Sequence, residues 1–238
     1  MLGYISRLES LGTVDGPGVR AVVFAQGCPL RCACCHNPET QGTGGEASEH
    51  TELAARIMRL YPYIKNGGVT FSGGEPCLQA RFFLELAGAL KDGGLHLALD
   101  TSGAVINDDV VSLLRLIDLV LLDIKFPTEE EYLRYTGGSL TDTLRFLDLC
   151  ENMGTSVWIR SVIIPGINDT EHHARALLEL VRPYTVVEKI EPLPFRKLCL
   201  EKYEQLNMPF PLRDTPEMSE DRMLEIFDRP LKDFGFKK

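Results

Sequence analysis

Residues 28–40 read CPLRCACCHNPET, which places Cys28, Cys32, Cys34, Cys35 and His36 within nine residues. Four of the seven cysteines stand in this segment. Such a cluster can be a disulfide staple, a zinc site or the cradle of a metal cluster that does chemistry. A chain of 238 residues with 44% apolar content can bury a core without covalent staples, and seven cysteines leave at least one unpaired. The first residues, MLGYISRLESLGTVDGPG, lack a basic start followed by an apolar run of signal-peptide length. No apolar stretch approaches the roughly 20 residues needed to span a bilayer. These features predict a cytoplasmic protein without a membrane partner, in a reducing compartment where clustered cysteines bind metal or catalyse. The formal charge of -9, from 34 acidic against 25 basic side chains, argues against nucleic acid as a partner, because phosphate binding rests on basic patches.

On both sides of the cysteine loop the chain alternates two patterns. Short apolar, β-branched runs recur as VRAVVFAQG, GGVTFSGG, LHLALDTSG, LVLLDIKF, SVWIRSVIIPG and VVEKIEPLP, each closed by Gly, Pro or a polar residue, and each reads as a buried strand. Between them lie amphipathic segments. TELAARIMRL groups Leu53, Ile57 and Leu60; LQARFFLELAGALK groups Leu78, Phe82, Leu86 and Leu90; TEHHARALLELV follows a cap at Asp169 or Thr170. Strands alternating with helices imply right-handed crossovers and a parallel sheet. Six units are too few for a complete eight-unit barrel, so the expectation is a partial barrel or an open doubly wound sheet. No repeat or long linker divides the chain, which is read as one domain, residues 1–238, with a last helix over about 217–238 introduced by a cap at Ser219.

This architecture makes a demand on the chemistry, because parallel α/β folds gather working residues at the carboxyl ends of their strands. Cys28 follows VVFAQG, Gly73, Gly74 and Glu75 follow VTFS, and Asp100 and Thr101 follow LHLAL. Asp123 and Lys125 close LVLL, Arg160 lies in SVWIRSVIIPG, and Arg196 follows EKIEPLP. If the strands form, these residues converge on one mouth.

The spacing Cys28-x3-Cys32-x2-Cys35 suits a loop wrapped round one face of a cubane iron-sulfur cluster, with three protein thiolates and one iron open to a small molecule. Cys28, Cys32, Cys35 and His36 also count as a Cys3His zinc set, although adjacent Cys35 and His36 face one ion with difficulty. Cys34 is a further donor in either case. Cys77, Cys150 and Cys199 are scattered, Trp158 reads as core filling, and His172 and His173 read as solvated residues early in a helix.

The Cys-x3-Cys-x2-Cys loop after a first strand resembles the signature of the radical S-adenosylmethionine superfamily. GTVDGPGVR (12–20), CHNPET, SGGEP (72–76), LDTSG (99–103), LLDIK (121–125) and WIRSVIIPGIND (158–169) extend the likeness to the pyruvate formate-lyase activating enzymes, a family of glycyl-radical-enzyme activases. The resemblance implies a partial (β/α)6 barrel of the TIM-like type. It further implies a [4Fe-4S] cluster on Cys28, Cys32 and Cys35, whose free iron holds S-adenosylmethionine. The reduced cluster cleaves that cofactor, and the 5'-deoxyadenosyl radical removes a glycine α-hydrogen from a partner such as pyruvate formate-lyase. Flavodoxin or ferredoxin is the expected electron donor, and the chain is expected to be a monomer.

The resemblance assigns the cofactor contacts to Cys34, Cys35, His36, Gly73, Gly74, Glu75, Asp123, Ile124, Lys125 and Arg196. Gly73 and Gly74 would let backbone approach the methionyl ammonium, Glu75 or Asp123 would offset its charge, and Lys125 would meet the carboxylate. Asp100, Thr101, the Leu121 carbonyl and Asp123 would line a monovalent-cation site for Na+ or K+. Asp15, Arg20 and Arg160 would grip the partner's glycine loop; apart from the likeness, Asp15 and Arg20 read as an exposed ion pair at a turn. Two positions depart from the family. Cys34 replaces an aromatic residue near adenine, and Arg196 replaces a histidine near the nucleoside, where a guanidinium can stack or donate. Other readings are a radical enzyme acting on a small molecule, such as carboxy-deazaguanine synthase, an activase of another glycyl radical enzyme, and a zinc-organised binding module.

Overall fold

The computed structural model describes residues 1–236. In chain order the strands are β1 (Leu2–Gly12), β2 (Arg20–Ala25), β3 (Glu46–Glu49), β4 (Gly68–Gly73), β5 (Leu97–Thr101), β6 (Leu119–Asp123), β7 (Ser156–Ile163) and β8 (Val187–Pro194). The helices are α1 (His50–Met58), α2 (Tyr61–Ile64), α3 (Ala80–Asp92), α4 (Asp108–Leu114), α5 (Glu129–Thr136), α6 (Leu140–Met153), α7 (Glu171–Val181), α8 (Leu200–Gln205) and α9 (Glu220–Phe234).

The described strands form one sheet of order β3-β1-β2-β4-β5-β6-β7-β8. The six from β2 to β8 in that order run parallel, and they are the six apolar runs read from the sequence. Both faces of these strands are covered, so β2 is buried at every position and no polar alternation is left in it. β1 and β3 add an antiparallel extension that the sequence did not signal. The reason is visible in β1, where the middle residues stay partly or fully exposed and no apolar alternation develops. At the opposite edge, Pro192 and Pro194 of β8 lack N–H donors and blunt further strand pairing.

The helices pack their apolar stripes outside the sheet. Phe82, Phe83, Leu86 and Leu90 of α3 are buried, and the Phe83 ring meets Phe71 of β4 at 4.9 Å between centroids. Removing one such side chain, as in Leu86→Ala, costs about 2–5 kcal/mol. Leu78, grouped with this stripe on periodicity, instead precedes α3 in a short 3-10 turn and is exposed. α7 begins at Thr170, whose hydroxyl accepts from His173 N at 3.1 Å, and α9 begins at Ser219, which caps Arg222 N. Thus the last helix runs over 220–234 rather than 217–238; Lys237 and Lys238 lie outside the described residues. α9 is tied to α7 by Arg175 and Asp233 at 2.6 Å. His173 corrects an expectation: it is buried, its ring packs edge-on to Phe126, and burial lowers its pKa to about 4.

Candidate active site

Inside the barrel the strand register sets the layers. β7 points Trp158, Arg160 and Val162 to the interior opposite Lys189, Glu191 and Leu193 of β8. The lower interior is apolar, with Ala98, Leu119 and Leu121 packed against Trp158. Above it the side chains turn polar, and a cavity of about 220 Å³ opens at the carboxyl ends of the parallel strands.

The cysteine loop leaves β2 at Gly27 and closes over this cavity. Its backbone is stitched to the end of α5, where Arg31 N donates to Thr136 O at 2.7 Å and Ala33 N to Tyr135 O at 2.8 Å. Those carbonyls are the ones that a helix C-terminus leaves without intrahelical partners. The far end of the loop is latched by Glu39, which accepts from Arg7 Nη1 at 2.8 Å and from Lys202 Nζ of α8 at 2.7 Å. His36 Nε2 lies 2.8 Å from Arg196 O, so this nitrogen carries the proton and is engaged with a carbonyl rather than a metal.

Cys28, Cys32, Cys34 and Cys35 all border the cavity as free thiols. Burial pushes the Cys28 and Cys34 thiols up to about 11 and Cys32 higher still, so without a metal these groups favour the neutral form. Bound iron reverses that preference, since a coordinating thiol is deprotonated. Among the described residues no three His, Cys, Asp or Glu side chains are grouped closely enough for one metal ion. A cubane cluster, in which each thiolate takes its own iron, needs no convergence of three side chains on one ion.

Facing the thiols are the strand ends. Gly73 has φ +109°, and a Cβ there would lie 2.4 Å from Ala25 N; at Gly74 it would lie 2.1 Å from Gly27 O. Only glycine lets β4 end this close to β2, and it leaves bare backbone toward the cavity. Asp123 Oδ2 meets Lys125 Nζ at 2.5 Å. Burial works against the charged lysine, but Asp123, with Cys32 and Cys34 beside it, holds its pKa well above the usual value. Asp100, on the neighbouring strand, accepts from Ser72 Oγ at 2.6 Å and stands 3.6 Å from Arg160 Nη1. Burial raises Asp100 to about 6; Arg160 opposes that rise and Asp123 adds to it. Two carboxylates close together in a buried site are an arrangement that a cation relieves.

Not every expected residue reaches the cavity. Cys28, Cys32, Cys34, Cys35, His36, Gly73, Gly74, Asp100, Thr101, Asp123, Lys125 and Arg160 line it. Glu75 does not: fully buried, it accepts from Cys77 N, Thr101 Oγ1, Ser102 N and Ser102 Oγ, and so clamps the ends of β4 and β5 together. The Ile124 side chain is in the core, and that of Leu121 is in the apolar lower layer. Arg196 is not among the residues that line the cavity; it donates to Met218 O at 2.5 Å and pairs with Glu220 at 3.3 Å.

Arg20 is the largest correction. It is fully buried and donates to Thr70 Oγ1, Pro17 O, Gly67 O and Val69 O, which makes it an internal anchor of the 15–20 loop rather than a surface grip or half of an exposed pair. Asp15 stays partly exposed on that loop, with burial raising its carboxyl pKa. Arg160 donates to Val14 O at 2.9 Å and thereby connects the loop to the cavity. Ser72, Ser102 and Glu191 were missed from sequence. The period-two pair Lys189 and Glu191 was the available signal for the third.

Residues 22–178 match the Radical SAM superfamily. The chain belongs to that superfamily. Among curated relatives, it is 42% identical over 229 residues to a pyruvate formate-lyase-activating enzyme of Clostridium pasteurianum, covering 95% of this chain and 96% of that one. It is 37% identical over 235 residues to the enzyme of the same name from Staphylococcus epidermidis, with 94% of each covered. A solved domain of pyruvate-formate lyase-activating enzyme from Bacteroides vulgatus aligns with TM-score 0.59 at 23% identity, over 72% of this chain and 96% of that one. A radical SAM methyltransferase from Sphaerobacter thermophilus aligns with TM-score 0.67 at 16% identity, over 91% of this chain and 64% of that one. At such identities the two structures speak for the fold alone, an open partial barrel. The radical SAM family implies a [4Fe-4S] cluster and S-adenosylmethionine, and the thiol-lined cavity fits both.

Proposed function

We propose that this protein activates pyruvate formate-lyase by installing a glycyl radical on it. The observation that carries the reading is the cavity itself, where Cys28, Cys32 and Cys35 face Gly73, Gly74 and the Asp123–Lys125 pair, in a chain 42% identical to an enzyme of that name. Held by those three thiolates, a reduced [4Fe-4S] cluster would supply the one-electron reduction of S-adenosylmethionine that hydrogen removal from the partner's glycine Cα requires.

The residues of this chain bind, orient and exclude water. Cys28, Cys32 and Cys35 would hold the cluster, with Cys34 beside them outside the ligand set. The bare backbone at Gly73 and Gly74 and the Asp123 carboxylate would receive the methionyl ammonium, and Lys125 the methionyl carboxylate. Asp100, Thr101, the Leu121 carbonyl and Asp123 would take a monovalent cation, which would lower the cost of two buried carboxylates. Asp15, with the loop anchored by Arg20, and Arg160 would meet the partner's glycine loop at the mouth. The chain would work as a single folded unit and a monomer in the cytoplasm, reduced by flavodoxin or ferredoxin. No described helix is long and apolar enough to cross a membrane.

The test is electron paramagnetic resonance. Reduced, cluster-loaded protein mixed with S-adenosylmethionine and pyruvate formate-lyase should produce the glycyl doublet. Silence with pyruvate formate-lyase but a signal with another glycyl radical enzyme would replace the partner and keep the chemistry.

A further inference from the structure

Arg160 is buried beside three different attractions. Its Nη2 donates to Val14 O at 2.9 Å, its Nη1 stands 3.6 Å from Asp100 Oδ1, and its Nε lies 3.2 Å from Glu191 Oε2. The register of β7 and β8 sets Glu191 directly opposite Arg160, and Lys189 Nζ meets the other Glu191 oxygen at 2.8 Å. Lys189 is itself held over the Trp158 ring, 4.5 Å from the centroid. The result is a line of alternating charge along the barrel wall, Lys189, Glu191, Arg160, Asp100, that ends at the cofactor cavity.

We propose that Glu191 is a positioning residue for Arg160, balancing the pull of Asp100 so that the guanidinium keeps its bond to the Val14 carbonyl and holds the 14–18 loop in its partner-receiving shape. The Nε–H is not aligned with the carboxylate as a hydrogen bond, so Glu191 acts through charge. Without that charge, Asp100 and Asp123 on the cavity side dominate the pull on Arg160, with Asp15 left as the acidic group on the loop side, and the Val14 bond is the contact it gives up. Lys189 keeps Glu191 from following. The role rests on the reading above that this loop receives the partner.

Glu191→Gln keeps the shape and removes the charge. In the cluster-loaded enzyme the KM for the partner should rise about tenfold while kcat changes less than twofold, and Glu191→Asp should recover part of the loss. In an Arg160→Gln background, Glu191→Gln should add nothing further; additive losses would overturn the inference. A second arm needs no partner. Endoproteinase Asp-N cuts before Asp15, at the very carbonyl that Arg160 holds, and mass spectrometry should show that cut several-fold faster in Glu191→Gln. An unchanged cutting rate would overturn the inference. A wild-type protein that puts no radical on any partner would refute the functional reading instead, leaving the cutting rate to decide the role of Glu191.

Discussion

The Thr101 hydroxyl donates to Glu75 Oε1 across 2.7 Å, fastening the carboxylate that follows β4 to the end of β5. Cys77 N donates to the same oxygen, and Ser102 donates to the other through both its N–H and its hydroxyl. Every contact is a donor to an acceptor, which is what lets a carboxylate sit fully buried. Glu75→Gln would turn an NH2 group toward groups that also donate. The expected cost is about 2–4 kcal/mol in urea denaturation at neutral pH, and a loss below about 1 kcal/mol would mean that the clamp is not made.

Replacing Cys28, Cys32 or Cys35 by alanine should abolish iron binding and the brown colour of the anaerobic protein, together with cleavage of S-adenosylmethionine. Cys34→Ala should keep both iron and colour. Iron analysis and visible spectra decide the matter, and loss of the cluster in Cys34→Ala would move that residue into the ligand set.

Asp123→Asn removes the charge facing both Lys125 and the expected methionyl ammonium. Affinity for S-adenosylmethionine, measured by equilibrium binding to cluster-loaded protein, should fall by about tenfold to a hundredfold with iron content unchanged. Lys125→Met should weaken binding in the same direction. Unaltered affinity in both variants would place the methionyl end elsewhere.

His173 sets a pH dependence of stability. Its folded pKa, lowered to about 4 by burial, lies below the unfolded value of 6.5, so the folded state binds fewer protons between those limits. The stabilisation from keeping it neutral is present above about pH 6.5 and is lost as pH falls toward 4. Glu131 of α5 and His172 of α7 act on it in opposite senses, the first favouring protonation and the second opposing it. Denaturation curves at neutral pH and at about pH 5 should show a drop of order 1–2 kcal/mol in the wild type, reduced in His173→Leu. An equal drop in both proteins would assign the acid sensitivity to other groups.

The six parallel strands were legible because burial on both faces makes each a continuous apolar run, and the cavity was legible because its residues follow those runs directly. β1 and β3 were not, since a strand wet along its middle carries no period. His173 was misread for a related reason. Glu171 and His172, just before it on α7, are polar, but Phe126, whose ring it meets edge-on, arrives from a distant segment. Glu75 and Arg20 were misread because a charged side chain after a strand looks the same whether it serves a ligand or the fold. The difference lies in donors and acceptors on β2, β4 and β5 that a linear reading does not bring together.

The burial of Arg20 changes how mutational maps of the DGPG segment are to be read. An alanine scan scored only by radical yield would rank Arg20 as the dominant hot spot, although its guanidinium touches carbonyls of its own chain and no visitor. Soluble yield and melting temperature, recorded beside the activity, separate that counterfeit contact from the surface a partner actually meets.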